Sequence, residues 1–335
     1  MGTQVILLVL GLIIILLSCE LFTNGIEWFG NFLNFGDGVV GSIFSAVGTC
    51  LPETIVPIIA ILSSMNEYNS NSVDIGIGAI LGAPFMLSTL AFFITGLSVI
   101  IFCRRRKSGI FLKINNKILL RDLKFFILIY STGIIASFLN NSSIKRSIAI
   151  ILIFSYIYYI FITVKSDSSS YQELDKLYLL KIFNKKVNLP AILVQLIIAL
   201  AGIIFGSYFF VSNIEGISDS LGISAMALSL IITPIATELP EKFNSIIWIR
   251  RSKDSLALGN ISGAMVFQSC IPVAIGIMFT SWKLNDIALV SCILSLVSSF
   301  IVLSWSKLNK KLNPLPFIAC GISYAVFIFY LLTNK

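Results

Sequence analysis

Two short segments, far apart in the chain, each place a proline and a glutamate inside an apolar stretch. The first reads GTCLPE at residues 48–53, and the second reads ATELPE at residues 236–241. In both, a threonine precedes the glutamate by four residues, so the two side chains share one face of a helix. Proline also displaces the carbonyl four residues before it. Each segment is therefore expected to offer a carboxylate, a hydroxyl and loose carbonyl oxygens in one place. The four candidate side chains are Thr49, Glu53, Thr237 and Glu241.

These oxygen-rich segments favour a hard cation as ligand. Ca²⁺ takes six to eight oxygen ligands, and its two charges balance two carboxylates. Two buried carboxylates without a cation are costly, and such a pair would hold a proton instead. Irregular backbone at membrane depth survives only where it is buried in protein or lines a wet cavity. If the two segments face each other, the sequence predicts a Ca²⁺ site between them at the midplane of a membrane.

The two segments belong to a longer internal repeat. The stretch DIGIGAILG at residues 74–82 follows the first, and DSLALGNISG at residues 254–263 follows the second. Small residues at i,i+4 spacing permit close helix packing, and an acid at a helix start interacts favourably with the free N–H groups there. We expect close packing at Gly78, Gly82, Gly259 and Gly263, and helix capping by Asp74 and Asp254.

The elements that carry these segments must lie in a membrane. Of the 335 residues, 57% are hydrophobic and 12% charged, and the mean hydropathy is +0.95. The charged fraction of soluble domains is about 25%. Apolar runs of about 20 residues, the length that crosses a bilayer as a helix, recur along the chain. We predict an all-α polytopic membrane protein with about ten transmembrane helices. The first run is expected to be a permanent span, since it lacks a positive flank and a cleavage site.

Basic residues alternate between the predicted loops. Of the 24 Lys and Arg residues, 19 fall in the loops after the third, fifth, seventh and ninth spans. Because cytoplasmic loops carry excess Lys and Arg, residues 104–121 and 165–186 are predicted to be cytoplasmic and both termini external, in the plasma membrane. The net charge of +8 then reflects topology, and nucleic acid is not an expected partner. The expected partners are the lipid bilayer and inorganic cations, and no protein partner can be inferred.

The longest polar connection divides the chain into two sets of five spans. We assign residues 1–164 to a first five-helix repeat, residues 165–188 to a cytoplasmic linker and residues 189–335 to a second five-helix repeat. An odd number of spans inverts the second repeat relative to the first, as in transporters whose sites form where two inverted repeats meet.

Enzymatic functions are disfavoured. The chain has no histidine, the commonest general base, and its six cysteines form no CxxC pair. It also lacks the G-x-S-x-G elbow of hydrolases and the phosphate-binding loop of ATP-driven pumps. No cofactor is expected.

The doubled T-x-L-P-E motifs and the glycine-rich helices after them resemble the calcium/cation antiporter superfamily, on its sodium/calcium exchanger side. Residues 41–87 and 225–268 carry the specific part of the resemblance. The resemblance implies that the paired threonines and glutamates hold Ca²⁺, that a sliding pair of helices alternates access, and that Ca²⁺ export is coupled to Na⁺ influx.

The chain departs from this family at the positions associated with sodium. The family pattern G-S-N-x-x-N or G-S-N-x-x-D is replaced by Ala83 and Leu87 in the first repeat, and by Ala264 and Gln268 in the second. Proton coupling is therefore an open alternative, because a proton needs only a carboxylate. A third possibility is an uncoupled channel or scaffold that retains the fold.

Glu238 and Gln268 are the candidates for a coupling-ion or proton site. Glu238 lies one turn from Glu241, so the two carboxylates could share a proton. Glu238 also stands four residues before Lys242. An i,i+4 ion pair between the two would explain the presence of Glu238 equally well.

Overall fold

Helices form the architecture throughout the part of the chain that the computed structural model describes, residues 2–33, 45–67, 70–166, 177–181, 187–309 and 311–333. The helices are α1 (Gly2–Phe32), α2 (Ser45–Glu67), α3 (Ser70–Met86, continued by a π-helical segment Leu87–Ala91 and by Phe92–Phe102), α4 (Asn116–Ser137), α5 (Ser142–Ser166), α6 (Tyr178–Lys181), α7 (Leu189–Leu221), α8 (Ala225–Arg250), α9 (Asp254–Phe279), α10 (Asp286–Leu308) and α11 (Leu315–Thr333). No strand occurs among the described residues, and the predicted all-α class is confirmed.

Seven of the described helices, namely α1, α3, α5, α7, α9, α10 and α11, are long and apolar enough to cross a membrane. The described side chains of the two motif helices, α2 and α8, include the apolar stretches Glu53–Ser63 and Ala225–Ile235. Glu53 is the first residue of one stretch, and the second motif follows directly after the other. The membrane character is thus confirmed, whereas the count of ten spans and the inverted repeat stay predictions.

The core of the protein lies around α3 and α9, the two most buried of the seven apolar helices. Helix α8 packs along α3, and α2 packs against α3 as well. Helices α1 and α7 form a long pair at the side of this core and expose many large apolar side chains. The two helices that follow the motifs therefore occupy the centre, and the motif helices pack directly on them.

Three of the loops rich in basic residues meet at one end of the bundle. The Nη2 atom of Arg106 donates to both carboxylate oxygens of Asp254, at 2.9 and 2.8 Å, and neither side chain is exposed. The backbone N–H of Lys113 donates to the same carboxylate at 2.8 Å. The backbone N–H of Leu112 donates to the carbonyl of Leu312 at 2.9 Å. Loops predicted to share a side therefore lie together, while the identity of that side stays a prediction.

Asp254 serves a different purpose from the helix capping expected of it. It stands in the first turn of α9, but no side-chain cap hydrogen bond is made at the N-cap, Lys253. Its carboxylate instead accepts from Arg106 and Lys113, two residues on another loop. Asp74 does not open a helix, because α3 already begins at Ser70. Asp254 thus opens a helix as predicted, while its carboxylate binds another loop, and the prediction for Asp74 is wrong.

The buried pair predicts a large loss of stability when one partner is neutralised. Asp254→Asn leaves the guanidinium of Arg106 buried without its counter-charge, and breaking such a pair costs about 3–5 kcal/mol. We expect the thermal unfolding midpoint of the purified protein to fall clearly. Asp286→Asn is the matched control, because Asp286 also stands in the first turn of its helix but makes no ion pair with a described residue. Equal midpoints for the two variants would contradict the prediction.

At the opposite end of the bundle, α5 is tied to the loop between α9 and α10. The Nζ atom of Lys145 donates to the carbonyls of Ser281 and Trp282, at 2.6 and 3.2 Å. The indole N–H of Trp282 donates to the carbonyl of Gly133 at 2.9 Å. These contacts join loops that the topology prediction places together on the other side of the membrane.

The short helix α6 docks the described part of the linker onto the α1–α7 pair. The backbone N–H of Tyr178 donates to Asn24 Oδ1 at 3.0 Å, and that of Leu179 donates to Gln195 Oε1 at 2.9 Å. The Gln195 amide in turn donates to Asn24 Oδ1 and to the carbonyl of Leu21. A buried polar network therefore connects α1, α6 and α7.

Candidate cation site

Helices α2 and α8 carry the two motifs into the interior. Glu53 is 3% exposed, Thr237 is 5% exposed and Glu238 is 1% exposed. The side chains of Thr49 and Glu241 lie outside the described part of the structure, as does that of Lys242. The three motif side chains that are described are thus buried, as expected of residues at a membrane midplane. That the four candidate ligand side chains lie together remains a prediction, as does the ion pair between Glu238 and Lys242.

A close approach of α3 and α8 positions the second motif. A Cβ atom added at Gly78 would collide with the carbonyl oxygen of Met226, and one at Gly82 would collide with that of Leu230. The hydroxyl of Ser229 donates to the carbonyl of Ile75 at 2.7 Å. These contacts hold the N-terminal half of α8 against α3, about two to three turns before the motif.

The hydroxyl of Thr237 is held along the same helix. It donates to the carbonyl of Thr233 at 3.1 Å, and the hydroxyl of Thr233 lies 3.0 Å from that of Ser229. The hydroxyl oxygen of Thr237 keeps its lone pairs available to a cation, because it acts as a donor here. The face of α8 that leads to the motif is therefore lined by hydroxyl groups.

The glycines of the second repeat do not match those of the first. Among the described residues, nothing lies within 4 Å of a Cβ built at Gly259, and only the hydroxyl of Tyr159 comes within that range at Gly263, at 3.7 Å. No described residue makes the close contact expected at Gly259 or Gly263, so that expectation stays a prediction. Among the described residues, close helix contacts are made by Gly78 and Gly82 of the first repeat.

Gln268 lies near the centre of α9 and is fully buried. It is 0% exposed, and neither its Nε2 nor its Oε1 atom has a hydrogen-bond partner among the described residues. A buried amide in that state is costly. The matched position of the first repeat, Leu87, is buried too, as are Ala83 and Ala264. Of these four positions, only Gln268 offers a side-chain oxygen.

A π-helical segment interrupts α3 beside these positions, and the sequence reading missed it. The segment Leu87–Ala91 begins three residues after Pro84, and proline inside a helix disturbs the backbone hydrogen bonds. The hydroxyl of Ser88 lies 2.8 Å from that of Ser295 and 3.1 Å from the carbonyl of Phe85. π-Bulges occur often at functional sites. Pro84 is the residue from which this interruption of the helix could have been predicted.

Acidic side chains alone do not form a metal centre in the described region. No group of three or more Cys, Asp or Glu side chains converges among the described residues. A cation between α2 and α8 would therefore draw on hydroxyl, amide and carbonyl oxygens in addition to the glutamates. Such a mixed oxygen set is typical of Ca²⁺ ligation.

The sodium/calcium exchanger protein family model matches residues 3–165 and 191–334. The chain belongs to this family. It is 25% identical over 305 residues to an uncharacterized membrane protein of Methanocaldococcus jannaschii, a match that covers 90% of each chain. The two matched regions leave out the residues between 165 and 191, where the predicted linker lies.

Two solved structures have the same fold as this exchanger-family chain. A H⁺/Ca²⁺ exchanger, CAX, superposes with a TM-score of 0.72 at 14% identity, covering 99% of this chain and 86% of that one. The sodium–calcium exchanger NCX_Mj superposes with a TM-score of 0.59 at 22% identity, covering 98% of each chain. The predicted resemblance to the calcium/cation antiporters is therefore confirmed at the level of family and fold. Exchangers of both coupling types share the architecture, so the fold leaves the coupling ion open.

Proposed function

We propose that the protein exports Ca²⁺ in exchange for Na⁺, with Ca²⁺ held between the two T-x-L-P-E motifs. The observation that carries the proposal is the burial of Glu53 on α2 and of Thr237 on α8, two helices that pack on the same central helix α3. Membership of the sodium/calcium exchanger family supports this function. Thr49 and Glu241 complete the proposed ligand set.

The physical support comes from the cost of burying acids inside a membrane. A carboxylate at such a depth is expensive unless it is paired or binds a cation, and intramembrane acids therefore mark ion pathways. The hydroxyl-lined face of α8 before the motif gives a passing cation further oxygen ligands. A bound Ca²⁺ would be the transported substrate.

For the coupling ion, the proposed residue is Gln268. Its buried amide has no partner among the described residues, and its Oε1 atom is a neutral ligand of the kind that a monovalent cation accepts. Na⁺ bound there would satisfy the amide oxygen. Because this ligand is neutral, it places no further negative charge in the site. Sodium is therefore the coupling ion that we propose first.

Proton coupling is the second candidate, and the burial of Glu238 favours it. Glu238 is 1% exposed and lies three residues before Glu241 on α8. A proton shared between these two carboxylates in the Ca²⁺-free state would leave when Ca²⁺ binds. Exchange of one ion for the other would then follow from competition at a single site.

A flux experiment distinguishes the candidates. Proteoliposomes loaded with ⁴⁵Ca²⁺ are given either a Na⁺ gradient or a pH gradient, for the wild type and for Glu238→Gln and Gln268→Leu. Sodium coupling predicts efflux that needs Na⁺, falls at least about tenfold in Gln268→Leu and is unaffected in Glu238→Gln. Proton coupling predicts pH-driven efflux that is lost in Glu238→Gln.

The same experiment tests the proposal as a whole. Efflux that runs down the Ca²⁺ gradient at the same rate with and without either ion gradient would identify an uncoupled channel. Absence of Ca²⁺ movement under every gradient, in protein that is folded by its unfolding profile, would identify a scaffold. Either result would overturn antiport.

A further inference from the structure

A positively charged cavity opens at the end of the bundle where the basic loops meet. Its volume is about 730 Å³, and it lies between the loop after α3 and the loop after α10. Three exposed lysines line it, Lys107, Lys113 and Lys311, and no acidic side chain does so among the described residues. The cavity is distant in sequence from both T-x-L-P-E motifs.

The three lysines bring three positive charges to the cavity lining. None of the three forms an ion pair with a described residue. Asp254 is the acid closest to this loop by its contacts, and its carboxylate is already occupied by Arg106 and by the backbone N–H of Lys113. The N-terminus of α4 at Asn115 and Asn116 also lines the cavity and adds partial positive charge. The cavity is thus suited to an anion.

The walls of the cavity are held in place by the fold. The Nη2 atom of Arg106 donates to Ser108 Oγ at 3.0 Å and to the carbonyl of Phe111 at 3.2 Å, which fixes the loop after α3. Leu112 is buried and bonded to Leu312 across the cavity floor. Lys311 Nζ lies 5.5 Å from the centre of the Phe111 ring, within the range of a cation–π contact. The lysines therefore extend from an ordered frame.

Exposed apolar side chains on and beside the two loops that line the cavity form an apolar rim. Ile110 and Phe111 are exposed on one loop, and Leu308 and Leu315 are exposed on either side of the other. Helix α3 ends at Phe102 and α10 ends at Leu308, so this rim lies where two membrane-crossing helices end. A soluble anion would make no use of exposed apolar side chains, whereas a phospholipid brings a phosphate and acyl chains together.

We propose that this cavity binds the phosphate headgroup of an anionic phospholipid, with Lys107, Lys113 and Lys311 around the phosphate and the acyl chains against the apolar rim. Basic pockets at the membrane surface recognise anionic headgroups in this way. The site is separate from the proposed cation site and does not depend on it.

Native mass spectrometry of the detergent-purified protein tests the proposal, with dioleoylphosphatidylglycerol as the probe and dioleoylphosphatidylcholine as the neutral comparison. The triple variant Lys107→Gln/Lys113→Gln/Lys311→Gln should retain at least about threefold less phosphatidylglycerol than the wild type at limiting lipid. The matched control is Arg104→Gln/Arg105→Gln/Arg251→Gln, which removes three exposed charges from the same end of the bundle without touching the cavity lining. This control should bind as the wild type does.

Three results would overturn the proposal. Equal lipid loss in the two triple variants would mean that only the net charge matters, and unchanged binding in the cavity variant would mean that the lysines play no part. Displacement of phosphatidylglycerol by millimolar inorganic phosphate would identify a site for soluble anions. Unfolding midpoints measured without added lipid should be equal in all three proteins. If only the cavity variant has a lower midpoint, the lipid measurement is repeated with single Lys→Gln variants that keep the wild-type midpoint. Unchanged lipid retention in all of these single variants would also refute the site.

Discussion

Ca²⁺ transport should be lost when Glu53 is replaced by Gln, while the protein continues to fold. The substitution keeps the shape of the side chain and removes one of the two charges that are proposed to balance Ca²⁺. Two unit charges 4 Å apart interact by about 4 kcal/mol at an effective dielectric constant near 20. For a divalent ion, losing one such partner lowers the affinity by at least about a hundredfold. The measurement is ⁴⁵Ca²⁺ uptake into proteoliposomes, together with Ca²⁺ titration calorimetry.

Variants at the other positions give this experiment its controls. Glu241→Gln should act as Glu53→Gln does, because the repeat assigns the two glutamates the same role. Thr237→Ala should be milder, since the backbone carbonyl of Thr237 survives the change and only the hydroxyl held by Thr233 is lost. Glu215→Gln, an acid on α7 outside both motifs, should transport normally. Undiminished Ca²⁺ uptake in Glu53→Gln and Glu241→Gln would refute the proposed site.

Properties set by composition and short-range pattern were predictable from the sequence. The all-helical membrane character follows from apolar runs of about 20 residues, which have few stable alternatives in a bilayer. The burial of Glu53 and Thr237 follows from their position within such runs. The doubled motif is a local pattern, and it is sufficient to indicate the family.

Properties set by long-range contacts were not predictable. Nothing local to Asp254 reveals that Arg106, on a distant loop, is its partner, so helix capping was the natural interpretation. The short helix α6 lies in a polar stretch without apolar periodicity, and its place is set by Asn24 and Gln195 on two other helices. Such pairings depend on the tertiary fold, which a single sequence leaves unspecified.

The largest difference between sequence and structure concerns the repeat itself. Sequence matching treats Gly78 and Gly259 as equivalent, and it predicts that both permit close packing. The structure gives them different surroundings, with Gly78 against the backbone of α8 and Gly259 next to open space among the described residues. Among the described residues, the equivalence in sequence is therefore not matched by an equivalent close contact at Gly259.

The matched pair Gly78→Ala and Gly259→Ala should consequently change stability in opposite directions. A methyl group at Gly78 collides with the carbonyl oxygen of Met226 and lies 3.2 Å from the backbone nitrogen of Leu230. Backbone atoms cannot rotate away, so α3 and α8 must separate, and overpacking of this kind costs about 1–3 kcal/mol. Separation would also stretch the 2.7 Å bond from Ser229 to Ile75 and displace the second motif.

At Gly259 the added methyl group meets no described atom, and alanine favours a helix over glycine by about 0.8–1 kcal/mol. Thermal unfolding of the purified variants should therefore show a lower midpoint for Gly78→Ala and an equal or higher one for Gly259→Ala. The helix-propensity gain is the same at both sites, so the difference between the two midpoints isolates the packing contribution. If both variants shift by the same amount in the same direction, the two repeats pack alike and the asymmetry between α3 and α9 is refuted.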